Sequence, residues 1–217
     1  MRKSAILLLT EVYTNDRSPM KYVYVFLTRT GTKVADIIGA ITGDRFAHAS
    51  VSLDRELDEL YSFARRGIYN PLFSGFEKEN IHRGIFAIFG DCYCNLFRIP
   101  VSDSTYERME QTLHSMFADK HRYRYNFVGL FSCAFGIPTN TRHHYTCSQF
   151  VSWILETSGA VVLPKNRGLM KPDDLASLPE AELIYEGRIA DADRTEEDFL
   201  PPIAAYTPGI GLRSRKA

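Results

Sequence analysis

The chain has 217 residues, enough for one well-packed domain and short for two. Its 26 Lys plus Arg balance 26 Asp plus Glu, so no net charge draws it toward nucleic acid or an anionic membrane. Hydrophobic residues at 45% and charged residues at 24% are ordinary for a globular protein, and no run approaches the ~18 apolar residues of a membrane span.

At the N-terminus the apolar run Ala5 to Leu9 is shorter than the ~7–15 residues of a secretory signal core, and no small-residue cleavage site follows. It reads better as a strand, and the expected location is the cytoplasm. Four cysteines, at 92, 94, 133 and 147, lack the spacing of a secreted disulfide framework. Cys92-x-Cys94 has half the form of a metal site, but no second Cys or His pair completes the roughly four ligands zinc needs. Both are expected to pack in a strand, with neither metal nor cofactor.

Tyr22 to Thr28, rich in β-branched and aromatic residues, predicts a strand. Val34, Ile37, Ile38 and Ile41 then form a helical stripe that Gly43 closes. Phe46 to Leu53 alternates as a strand. Ala47, Ala49, Val51 and Leu53 point toward a core, while Phe46, His48, Ser50 and Ser52 form a polar face expected to wall a cleft. Asp54 to Glu59 is a loop and Leu60 to Ala64 a hairpin partner. Ile85 to Phe89 and Cys92 to Val101 read as two strands joined at Gly90-Asp91. A helix is expected from near Ser104, with Glu107 completing a capping box and Tyr106, Met109, Leu113, Met116 and Phe117 as its stripe. A shorter helix is expected over Asn126 to Phe135. The clearest helix buries Phe150, Val151, Ile154 and Leu155 and ends at Gly159. Leu183 to Tyr185 predicts a last strand, followed from about residue 190 by an irregular tail. Without repeat or linker, residues 1–217 read as a single domain.

Tyr145-Thr146-Cys147-Ser148-Gln149 carries the chemistry. Thr146 and Gln149 form a capping box, so Cys147 takes the first helical position, where free amides and the helix dipole favour a thiolate. A small apolar residue opening a buried helix would look the same. A nucleophilic thiol also needs a base. Of six histidines, His48 stands mid-strand on the polar face, whereas His143 and His144 precede the helix in chain that can orient them many ways. A structural histidine is the alternative reading of His48.

The segments Phe46-Ala47-His48-Ala49-Ser50-Val51-Ser52-Leu53 and Tyr145-x-Cys147-Ser148-x-Phe150-Val151 resemble the permuted NlpC-type papain-like group, in which the strand histidine precedes the helix cysteine. Its members include YiiX-like bacterial amidases and peptidases and the lecithin retinol acyltransferase relatives. Leu60-Tyr61-Ser62-Phe63 and Lys171-Pro172-Asp173-Asp174-Leu175 share the likeness. The resemblance implies an α+β, circularly permuted papain-like fold with an antiparallel sheet packed against helices. It implies Cys147 as nucleophile, His48 as base, and a hydrolase or acyltransferase working through a thioester on a small peptide or acyl amide or ester. The group usually orients its histidine with His or Glu on the next strand. Here that strand offers Tyr61 and Ser62, with Asp58 and Glu59 closer to the turn; Ser62 is the first choice for the third residue, although a small residue beside the core reads as well. The rival expectations are a fold without catalysis, serving as a binding module, and a metal protein.

Overall fold

The computed structural model describes residues 20–29, 44–65 and 74–194. The strand expected near Ala5, the helix over Val34 to Ile41 and the chain after Arg194 lie outside them. Among the described residues the architecture is α+β, with eight strands in one open, mostly antiparallel sheet. In chain order the elements are β1 (Lys21–Arg29), β2 (His48–Ser52), β3 (Leu60–Arg65), β4 (Ser74–Glu79), α1 (Gly84–Ile88), β5 (Tyr93–Val101), α2 (Asp103–Ala118), β6 (Arg124–Tyr125), α3 (Phe127–Ala134), β7 (His144–Tyr145), α4 (Cys147–Ser158), α5 (Pro172–Ala176) and β8 (Glu182–Arg188). The sheet order is β7-β6-β4-β3-β2-β1-β5-β8, and only the β6–β7 pair is parallel.

Alternation along the central strands builds a core on each face of the sheet. Val23, Val25, Leu27, Ala49, Val51, Phe63 and Phe76 meet Met109 and Leu113 of α2 and Phe150, Val151, Ile154 and Leu155 of α4. Phe26, Leu60, Cys94 and Leu96 form the second cluster with Leu57, Ile81, Phe86, Ile189 and Ala192. α2 starts at Asp103, earlier than expected, because Ser102 rather than Ser104 caps it by accepting the Thr105 N–H. Gly159 ends α4 at φ +82°, a left-handed conformation that strains any side chain.

Three expectations are corrected. Ile85 to Phe89 is not a strand but largely the short helix α1; an apolar run of that length carries no period to separate the two. α1 turns Phe86 edge-on against Phe26, with ring centroids 5.7 Å apart. The tail expected from about 190 is packed chain as far as Arg194, with Ile189 and Ala192 fully buried and the Ala192 carbonyl held by Arg55 at 2.6 Å. The polar face of β2 is no open wall either. Phe46 joins the first core, and Ser50 and Ser52 are fully buried.

Candidate active site

The sequence at the start of α4 dictates the position of the thiol. Thr146 Oγ1 accepts the Gln149 N–H at 3.2 Å, and Gln149 Oε1 accepts the Thr146 N–H at 3.1 Å. Gln149 is buried and fixed further by Asn126, which donates to it at 3.1 Å, and by the Gly168 carbonyl, to which it donates at 3.2 Å. Cys147 therefore sits rigidly in the first turn. Its own N–H has no acceptor among the described residues and is free for a developing oxyanion.

β2 brings the base. Its printed register with β3 covers only Val51↔Tyr61 and Ser52↔Leu60. Beyond the end of that ladder, the Ala49 N–H donates to the Cys147 sulfur, as does the Ser148 N–H, and the thiol hydrogen-bonds His48. The His48 Nε2 lies 3.3 Å from Glu79 Oε2 and 3.2 Å from Ser50 Oγ, which leaves Nδ1 as the nitrogen for the thiol. Ser50 and Ser62, both small and buried, leave room for the ring and the carboxylate to meet.

Electrostatics favour the charged forms of both partners. Burial raises the Cys147 pKa, but the hydrogen bond and charge of His48 and the Ala49 and Ser148 amides outweigh it and hold the thiol below its ordinary value. Burial lowers His48, yet its hydrogen bonds to Cys147 and Glu79 and their negative charges push it up to about 10. Both shifts point to a thiolate–imidazolium pair, whose titration belongs to the pair rather than to either residue.

The structure thus brings His48 and Cys147 together and places Ser62 one step behind. Ser62 Oγ donates to Glu79 Oε2 at 2.5 Å, and Glu79 is the residue on the imidazole. The sequence reading missed this carboxylate. Ser74 to Glu79 does alternate, with Gly75, Glu77 and Glu79 on one face, but only the strand order distinguishes the two acids. Glu77 is occupied by Lys120 at 3.1 Å, while Glu79 turns to the histidine.

The Lys171–Leu175 segment anchors the site from outside. Asp173 accepts the Arg45 and Phe46 N–H groups at 3.0 and 3.3 Å, and Asp174 caps α5 by accepting the Lys171 N–H at 2.8 Å. This ties the entrance of β2 to the helix layer. Tyr125 borders Cys147, whereas Tyr123 and Tyr145 line a separate cavity.

The chain matches no protein-family model and no curated protein. Among the described residues no cluster of three His, Cys, Asp or Glu is arranged to hold a metal ion, and no helix is long and apolar enough to cross a membrane. The four cysteines are free thiols.

Proposed function

We propose that this chain is a cysteine-dependent hydrolase of the permuted papain-like type, with Cys147 as nucleophile, His48 as base and Glu79 as the group that orients and charges the imidazole. One observation carries the reading: a thiol in the first turn of a helix, hydrogen-bonded to a histidine whose Nε2 faces a carboxylate. The thiolate attacks an amide or ester carbonyl, and the free Cys147 N–H receives the oxyanion. Imidazolium returns its proton to the leaving amine or alcohol, giving a thioester. Water, deprotonated by His48, then releases the acid and regenerates the thiol; another acceptor in place of water would make the enzyme an acyltransferase.

The space beside the sulfur bears on the substrate. A cavity of about 20 Å3, room for a single water, is lined by Ala47, Tyr125, Leu130, Met170 and Pro172 among others. These apolar walls favour an uncharged acyl portion, and Thr146, Ser148, Gln149 and Lys171 supply the polar part of the lining. Four free thiols fit a reducing compartment, and the cytoplasm is part of the proposal.

The test is acylation by p-nitrophenyl acetate followed by mass spectrometry of the cysteine peptides. An acetyl group confined to Cys147, lost in Cys147→Ser and sharply reduced in His48→Ala, is the expected result. Acetylation spread evenly over Cys92, Cys133 and Cys147 refutes the proposal and favours a non-catalytic binding module.

A further inference from the structure

A second cavity, of about 360 Å3, shares Gln149 with the small cavity beside the thiol. Its volume falls within the ~300–1,000 Å3 of small-molecule sites. The lining is chemically one-sided. Arg142, Arg167, His143 and His144 contribute to it, and no Asp or Glu does. Arg142 has no carboxylate partner among the described residues, and Arg167 has one contact, to the half-exposed Glu156 at 3.6 Å.

Burial dominates the ionisation of two titratable residues of this lining, and the arginines act on both. His143 is held below its ordinary pKa by burial and then by Arg142, Arg122 and His144. Burial raises Tyr145, against the pull of Arg167 and Arg142. His143 also adopts φ +63°, left-handed backbone that strains a non-glycine residue. Its ring meets Tyr123 edge-on, with centroids 5.3 Å apart. On another side, Tyr145 and Trp153 form an aromatic wall with centroids 5.5 Å apart.

We propose that this cavity binds an aromatic phosphomonoester, the chemistry of a nucleoside monophosphate, with the phosphate on Arg142 and Arg167 and the planar ring against Trp153 and Tyr145. Guanidinium forks suit a tetrahedral dianion, and an aromatic wall suits a planar group. Asn140, Thr139 and Thr141 add neutral polar groups to the lining. Because Gln149 also accepts the Thr146 N–H, the ligand would sit one side chain from the turn that presents Cys147. The site does not depend on the proposed hydrolase activity.

Trp153 is the chain's only tryptophan, so intrinsic fluorescence reads the cavity directly. The full chain, both wild type and Cys147→Ala, is titrated with AMP, adenosine and inorganic phosphate at constant ionic strength, with sodium chloride as control. A saturable change with AMP is expected in both proteins. Arg142→Ala and Arg167→Ala should each weaken it at least about tenfold, the scale of one charge-assisted hydrogen bond. Adenosine and phosphate should each bind at least about tenfold more weakly than AMP. Arg142→Gln, uncharged but of similar length, replaces the alanine variant should that fail to fold. A response that sodium chloride reproduces, Arg142 variants that titrate like wild type, or adenosine or phosphate binding as tightly as AMP would each overturn the assignment.

Discussion

Glu79→Gln isolates the charge that supports the imidazolium. Glutamine keeps an oxygen for the Ser62 hydroxyl and nearly the same shape, so the negative charge 3.3 Å from His48 Nε2 is the main loss. The two side chains are only 19% and 17% exposed, so water screens the pair weakly. A carboxylate at this distance raises a histidine by roughly 1–3 pKa units. His48 in the variant should therefore titrate below the value of about 10 that it has beside Glu79 and the Cys147 thiolate. Each unit is ~1.36 kcal/mol of lost preference for the charged ring. Because the thiolate leans on the same ring, Cys147 moves back toward its ordinary value.

The assay is the pH profile of Cys147 alkylation by iodoacetamide, read by mass spectrometry. Wild type should react well below the ordinary thiol range. In Glu79→Gln the acid limb should shift upward, slowing labelling at low pH by roughly tenfold for each unit the pair loses. The same substitution tests stability with a definite sign. A pKa raised on folding contributes stability that is full below the unfolded value of ~6.5. That contribution disappears as pH rises through about 10. The melting-temperature gap between wild type and Glu79→Gln should therefore narrow as pH rises across that window. Cys147 runs the other way, its contribution vanishing as pH falls through its lowered pKa. Superimposable alkylation profiles for the two proteins would refute the assignment of Glu79.

Three further outcomes follow from the same geometry. Ser62→Ala removes the donor behind Glu79 and should slow labelling at pH 7 by less than Glu79→Gln, because it takes away a hydrogen bond to the carboxylate, worth about 1.5–3 kcal/mol, but leaves the negative charge beside the ring; a loss as large as that of His48→Ala would make Ser62 the direct orienter. Asp173→Ala leaves the Arg45 and Phe46 amides without their acceptor and should destabilise the fold by about 1–3 kcal/mol in urea while slowing Cys147; unchanged stability would deny the anchor. Gln149→Leu takes one of its two acceptors from the buried Asn126 amide, leaves the Thr146 N–H without one, and should cost about 2–3 kcal/mol by urea denaturation, with loss of low-pH labelling; a variant as stable as wild type would show that the cap is dispensable.

The site was legible to the extent that local rules fix it. A Thr-x-x-Gln box positions its own helix start, so Cys147 could be placed in the first turn without tertiary information. His48 stood out as an imidazole on a strand face otherwise made of small polar groups. Glu79 was not legible in this way. It meets His48 across 31 positions of sequence, and β3 intervenes between their strands. The apolar run at Ile85 misled for the opposite reason: it is too short for periodicity, and its fate depends on Phe86 filling the second core. Ser50 and Ser52 read as an open wall because alternation says which face a side chain takes, not whether another layer covers it.

The place where the site forms follows from how the sheet fails to close. β3 pairs with β4 along its whole length, from Leu60↔Glu79 to Arg65↔Ser74, but with β2 only at Val51↔Tyr61 and Ser52↔Leu60. β1, by contrast, follows β2 as far as Thr28↔His48. The first half of β2 is thus held on one side and released on the other. A released strand edge normally exposes unpaired backbone groups that invite another strand. Here the Ala49 N–H on that edge is satisfied by sulfur, and the serines beside it let His48 lean toward Glu79. Asp173 fixes the same half-strand from its start. A large β-branched residue at Ser50 or Ser62 would fill the space that the imidazole and carboxylate share, separating them while leaving the two hydrophobic cores intact. Reactivity at Cys147 should then fall faster than stability, the dissociation expected when the break in the sheet exists to hold the pair.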